Sequence, residues 1–361
     1  MIGRYALHDE IAAGGMATVH FGRLLGQAGF SRTVAIKRLH AQFAKDPDFV
    51  AMFMDEARLA ARIHHPNVVP TLDVVARDGE LFLVMEYVPG EALSKLMRNA
   101  AQKGERIDPR ISAAIVAGFL HGLHAAHEAR NERGEPLELV HRDISPQNVL
   151  VGVDGVARVV DFGVAKAAGR IHTTREGQLK GKLSYMAPEQ IHGIEVSRRT
   201  DIYAASIVLW ELLTGKRLFA RENEAAVMLA ALTTEPVAPS SIVPGLAWAL
   251  DRITLRGLAR SPDARFRTAR DMALELETAL DLALPSEVGA WVQSVAGTTL
   301  GARASQVAEI ESKSGVEVQL RSDAPASEAG DGRTMMTAAG AEPPPHARSK
   351  RAIMVGLVVA L

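Results

Sequence analysis

His141, Arg142 and Asp143 are followed by Asn148 and then by Asp161, Phe162 and Gly163. An acid, an amide and a second acid in that order suit phosphoryl transfer. Asp143 would orient a hydroxyl and accept its proton, while Asn148 and Asp161 would hold the magnesium ions that neutralise charge on the β- and γ-phosphates. One triplet alone would carry little weight. The run VHRDISPQNVL followed by VVDFGVAK carries more, because the apolar segments 149–151 and 156–160 read as a strand pair that flanks both loops and sets them side by side.

Other segments must position these groups. In VAIK, Lys37 sits on a strand whose neighbours Val34 and Ile36 are β-branched. Segment 48–63 carries Phe49, Phe53, Ala57 and Ala60 at helical spacing, with Glu56 beside that stripe and facing inward. LFLVMEY at 81–87 is an apolar strand. Asp201 opens the apolar run 202–213, which reads as a buried central helix.

In this order the segments resemble a bacterial serine/threonine protein kinase of the eukaryotic-like (Hanks) type, over about residues 5–280. The resemblance implies an α+β, two-lobed protein kinase fold: a small β-rich N-lobe with one main helix and a larger helical C-lobe, followed by a disordered tail. The catalytic domain would occupy 1–283, with the N-lobe at about 5–88 and the C-lobe at about 89–280. Lys37 resembles the lysine that pairs with the α- and β-phosphates, and its expected partner is Glu56. The phosphate loop at 11–19 reads IAAGGMATV, so Ala12 and Ala17 replace two of the family's three glycines. Alanine still offers a backbone amide to phosphate but resists close approach. Ala12, Ala13, Gly14 and Gly15 would cover ATP, Val19, Ala35 and Leu150 would sandwich adenine, Met85 would be the gatekeeper, and Glu86 and Val88 would offer backbone groups. Because an adenine pocket is largely apolar wall, ordinary core residues have the same composition.

Two departures from the family pattern stand out. Ser145 occupies the place of a lysine two residues after the catalytic Asp, and Lys182 in GKLSYMAPE occupies the place of a threonine. In the common arrangement that threonine lies within reach of both the lysine and the aspartate, so a swap would keep one ammonium and one hydroxyl in the same volume. Lys182 would then clamp the transferring phosphoryl group; the alternative is a solvated loop lysine. Thr173 and Thr174 are candidate autophosphorylation sites, and Arg142 is the group that would receive their phosphate. Ala187, Pro188 and Glu189, with Arg265 as a distant ion-pair partner, resemble a structural element.

The implied activity is that of a non-specific serine/threonine protein kinase. It would use ATP with Mg2+ (or Mn2+), act on protein hydroxyls and autophosphorylate in bacterial signalling. The alternative is a pseudokinase, an ATP-binding scaffold. A homodimer that promotes trans-autophosphorylation is compatible with the resemblance.

Composition agrees. A chain of 361 residues accommodates a two-lobed domain plus a tail, and a net charge of −1 argues against nucleic-acid binding. The absence of cysteine excludes disulfides and thiolate metal sites. His121, His124 and His127 recur every three residues, but no carboxylate at ligand spacing accompanies them, so they read as structural. From 284 to 347, Ser, Gly, Ala, Glu, Asp and Pro predict a flexible linker. Arg348, Lys350 and Arg351 then precede an apolar run at 352–361, which rises about 15 Å as helix, half a bilayer core. The basic flank and this run read as the start of a transmembrane helix tethering a cytoplasmic catalytic domain to the inner membrane; an apolar tail packed on the protein is the competing reading.

Overall fold

Alternating apolar and polar residues near the N-terminus build a five-stranded antiparallel sheet from β1 (Tyr5–Ala13), β2 (Ala17–Leu25), β3 (Ser31–Leu39), β4 (Thr71–Arg77) and β5 (Glu80–Glu86), in the order β1-β2-β3-β5-β4. The computed structural model describes residues 1–322 apart from 16, 27–29 and 163–182; the side chains of 48, 49, 52, 56 and 313–322 also lie outside the described set. The two-residue period of β3 sends Val34 and Ile36 to one apolar cluster with Phe82 and Val84. It sends Ala35 to a second cluster, with Leu83 and Met85. After the short α1 (Ala41–Ala44), α2 (Pro47–Ala60) closes this second cluster with Phe53 and Ala57, both almost fully buried. The sequence predicts this helix over 48–63; it starts one residue earlier and ends three residues earlier.

A second sheet, β6 (Gly90–Ala92), β7 (Val149–Gly152) and β8 (Ala157–Val159), carries the candidate chemistry on its connections. The predicted strand pair around 149–160 is β7 and β8, antiparallel with Val149 opposite Val159. Beneath it lie α3 (Leu93–Gln102), α4 (Pro109–His127), α5 (Pro188–Ile191), α6 (Arg198–Thr214), α7 (Glu224–Thr233), α8 (Trp248–Gly257) and α9 (Ala269–Ala279). Asp108 caps α4 by accepting the Arg110 amide at 2.7 Å, with Pro109 in the first turn. Ser197 and Thr200 form a capping box at the start of α6, whose residues 200–214 are all buried. Ser206, on this helix, donates to the Ile202 carbonyl and faces Gly257 so closely that a Cβ there would lie 1.8 Å from its hydroxyl oxygen. The serine is accommodated because the facing helix has no side chain at that point.

The C-terminal segment departs from its composition. Where a flexible linker is predicted from 284, the chain forms helix α10 (Pro285–Ser322). Val288, Val292, Val295 and Ala296 lie on one stripe of it and join the large core cluster of the helical lobe. Its first turns approach the β7–β8 turn very closely: a Cβ on Gly155 would lie 1.9 Å from the Pro285 carbonyl, and one on Gly289 would lie 2.3 Å from the Val153 carbonyl. Few large apolar residues are needed where backbone packs on backbone. The remainder of the predicted linker, 323–347, and the apolar run 352–361 lie outside the described residues. Among the described residues no helix is long and apolar enough to cross a membrane.

Candidate active site

The loop from 141 to 148 is held from below by one buried carboxylate. Asp201, in the first turn of α6, is 1% exposed and accepts the His141 and Arg142 amides, each at 2.8 Å. The Nε2–H of buried His127 donates to the same carboxylate at 2.8 Å. Burial by itself opposes ionisation of Asp201. The His127 hydrogen bond, the charges of His127 and His141 and the His141 amide outweigh it and hold the carboxyl below its usual range. Asp201 therefore caps this loop. His127 completes the cap, and the first histidine of the triplet, His121, pairs with Glu277 at 2.7 Å. No group of three or more His, Cys, Asp or Glu able to hold a metal occurs among the described residues.

Arg142 (φ 63°) and Asp161 (φ 58°) both adopt the left-handed region that non-glycine residues rarely occupy. Between them, Asn148 donates its amide N–H to the Asp143 carbonyl at 2.7 Å and to Asp143 Oδ2 at 3.1 Å. The loop carrying Asp161 is tied to the loop carrying Asn148 by the Val160 amide on the Asn148 carbonyl, 3.0 Å. His141 Nε2 reaches the Val160 carbonyl at 3.0 Å, and its ring lies 5.0 Å from that of Phe162. Across the cleft, Lys37 Nζ donates to Asp161 Oδ1 at 2.7 Å. Asp143, Asn148, Asp161 and Lys37 thus converge. The Glu56 side chain and Lys182, Thr173 and Thr174 lie outside the described residues.

The residues present fit a magnesium ion shared with nucleotide phosphates. With the Asn148 N–H turned to Asp143, its amide oxygen and the Asp161 carboxylate are hard oxygen donors on adjoining loops, too few to cage the ion without phosphate. Beside them, Val19, Val88 and Leu150 pack on the cluster that contains Ala35 and Met85, so the predicted adenine wall is one contiguous apolar surface. The Glu86 amide is already bonded to the Pro70 carbonyl at 3.0 Å. In the phosphate loop, Gly14 turns by donating to the Ala17 carbonyl at 2.9 Å, with Ala12 opposite Val19 and Ala13 opposite Thr18. Ser145 is 4% exposed, and its buried hydroxyl, like Arg142 Nε, has no hydrogen-bond partner among the described residues.

Below the loop, Glu189 and Arg265 form the expected pair as a buried two-pronged bridge of 2.7 and 2.9 Å, joined by Thr200 at 2.8 Å. Burial opposes ionisation of Glu189 as well, and the Arg265 bonds prevail. Gln190 escaped the sequence reading: it donates to the Arg142 carbonyl at 3.0 Å and accepts the Ala187 amide, joining α5 to the loop. Only its place directly after APE could have marked it.

The sequence profile described as "Protein kinase domain" matches residues 5–243. Among similar proteins, "Tyrosine-protein kinase MasK" of Myxococcus xanthus is 44% identical over 278 residues, covering 77% of this chain and 43% of that protein. "Serine/threonine-protein kinase PknH" of Mycobacterium tuberculosis is 37% identical over 273 residues, 72% of this chain and 42% of that protein. The chain spans about two fifths of the length of these relatives. The PknI kinase domain of Mycobacterium tuberculosis superimposes with a TM-score of 0.59 at 27% identity, over 78% of this chain and 97% of that one.

Proposed function

The chain belongs to the protein kinase family, in its bacterial eukaryotic-like branch, and from that membership we propose that it transfers the γ-phosphate of MgATP to protein hydroxyls, with serine and threonine as acceptors. The observation that carries the proposal is the convergence of Lys37 on Asp161 and of Asn148 on Asp143. Asp143 would take the proton of the acceptor hydroxyl as its oxygen attacks the γ-phosphorus and the bond to ADP breaks. Lys37 would move from Asp161 to the α- and β-phosphates. Asn148 and Asp161 would hold magnesium, which supplies charge neutralisation when bound. Adenine would lie between Val19, Ala35 and Leu150, with Met85 behind it, the backbone of Glu86 and Val88 at its edge, and Ala12, Ala13, Gly14 and Gly15 over the phosphates. Glu56 would steady Lys37.

Lys182 would supply the positive charge that Ser145 lacks; the partnerless buried hydroxyl of Ser145 supports a donor or acceptor arriving there. Lys182→Ala is expected to lower turnover far more than ATP affinity. Arg142, with its buried Nε, would receive phosphate from Thr173 or Thr174. The catalytic domain, read from the sequence as 1–283, would also take in the first turns of α10, whose Val288, Val292, Val295 and Ala296 join its core, and would lie in the cytoplasm. Tethering through 348–361 has only the basic and apolar sequence there in its support, and a homodimer would show as concentration-dependent autophosphorylation.

Relatives named as kinases speak against the pseudokinase alternative. A second acceptor, tyrosine, is favoured by the name of the Myxococcus relative and by a serine where serine/threonine enzymes carry lysine. Transfer of labelled phosphate from MgATP to the protein and a basic acceptor, followed by phosphoamino-acid analysis, tests both. Label on serine or threonine that vanishes in Asp143→Asn is expected. Label on tyrosine alone would replace the specificity, and no label with wild-type protein would overturn the activity.

A further inference from the structure

Helix α10 does more than cover the helical lobe. Its buried stripe at Val288, Val292, Val295 and Ala296 seats it there, and Asn99 of α3 donates to the Val295 carbonyl at 3.0 Å. Further along, Arg303 donates to the Gly90 carbonyl at 3.1 Å and pairs with Glu91 at 3.3 Å; both carboxylate and guanidinium are largely buried. Gly90 and Glu91 follow directly on the strand and turn that form the adenine edge. Farther still, Glu311 accepts from Arg23 at 3.0 Å and from the Thr33 hydroxyl at 3.1 Å. Arg23 is 7% exposed and opposes Thr33 in the β2–β3 register. One helix therefore holds the helical lobe, the hinge and the sheet.

The register shows which face of the sheet is held. Thr33, Ala35 and Lys37 alternate onto one face of β3, and their partners Arg23, Phe21 and Val19 share that face on β2. It is the face that carries the candidate adenine wall and Lys37. Phe21 in turn lies 5.4 Å, ring to ring, from Tyr87 in the hinge. Arg303 and Glu311 are about 12 Å apart along a helix, and Thr33 and Lys37 about 13 Å apart along a strand. The helix thus spans from hinge to sheet on the scale of the cleft itself.

We propose that Arg303 and Glu311 are positioning residues for the nucleotide site, bracing the hinge and the Lys37 face of the sheet against the helical lobe so that cleft opening is fixed from α10. Neither touches substrate. Arg303 acts through Gly90 and Glu91, and Glu311 acts through Arg23 and Thr33. Releasing either grip lets the sheet tilt on the hinge, which weakens nucleotide binding more than it slows transfer once nucleotide is bound. The brace rests on the nucleotide-site reading above.

The test uses the full 361-residue chain. Glu311→Lys places a cation against Arg23, Glu311→Gln keeps an acceptor for Thr33, and Arg303→Gln releases the hinge. Binding of MgADP by titration calorimetry, KM for ATP against kcat, and hydrogen exchange over 31–37 and 86–92 are compared with the melting midpoint. Glu311→Lys is expected to weaken MgADP binding and raise KM for ATP about fivefold with kcat nearly unchanged, as for coupling of typical strength. Glu311→Gln falls between it and the wild type, and Arg23→Glu combined with Glu311→Arg recovers most of the loss. Exchange over both segments quickens in Glu311→Lys while the melting midpoint holds. Unchanged MgADP binding and unchanged exchange in both Glu311→Lys and Arg303→Gln would overturn the brace. Absence of phosphate transfer would overturn only the proposed activity, since binding and exchange are read without it.

Discussion

The two sides of the cleft are built to different rules. On the helical side, two buried carboxylates each hold several partners: Asp201 has His127 and two loop amides, and Glu189 has Arg265 and Thr200. On the sheet side, two small apolar clusters flank β3, and Lys37 reaches across the cleft to Asp161. The difference separates labour. Loop geometry is set by buried polar bonds that are costly to rearrange, whereas the sheet is light and needs outside support to stay in place.

The contrast predicts that damage below the cleft reads out as lost stability and lost transfer, and damage above it as lost affinity. Arg265→Ala leaves Glu189 buried without its two-pronged partner and should destabilise the protein by about 3–5 kcal/mol in urea unfolding. Destabilisation below about 1 kcal/mol would erase the contrast at its strongest point. Asp201→Asn keeps the shape but loses an acceptor for one of the bonds now made to His127, His141 and Arg142. A loss of about 2 kcal/mol is expected, with transfer falling while MgADP affinity stays.

Acid should expose the same asymmetry. The carboxyls of Asp201 and Glu189 are held below their usual range, so their contribution is complete above the unfolded carboxylate pKa of about 4 and is lost as pH falls through the lowered folded values. Glu211 runs the other way. Burial raises its carboxyl despite Arg217 and Tyr185, so it contributes below the unfolded value and that contribution fades as pH rises through the raised one. Chemical denaturation from pH 3 to 7 should therefore show a steep acid limb that flattens in Asp201→Asn. The smallest effect belongs to the sheet side: Val19→Ala removes part of the adenine wall and should weaken MgADP binding by about 1 kcal/mol, with little change in melting.

The helical side was also the more legible. Asp143, Asn148 and Asp161 stand at fixed distances between apolar runs, and Asp201 opens a helix whose buried length is plain in its composition. Sequence spacing could not show that Lys37 would contact Asp161, because a contact across the cleft depends on how the lobes meet. Nor could it show α10. The buried stripe there is four small or medium residues among serine, glycine and glutamate, and the longer reach is made by single polar side chains, Arg303 and Glu311. Nor could it show why Ser206 fits inside a buried helix, since that depends on Gly257, a residue on another helix.

The approach of α10 to the β7–β8 turn has a use outside this molecule. Gly155 has φ +77° with the Pro285 carbonyl against it, and Gly289 faces the Val153 carbonyl in the same way, so a side chain at either place would push the helix off its seat. Two glycines, one in the turn between β7 and β8 and one early in the following C-terminal helix, therefore form a marker that can be read from sequence alone. Relatives that carry both have room for such a helix, and relatives with bulk at either position must orient their lobes by other means.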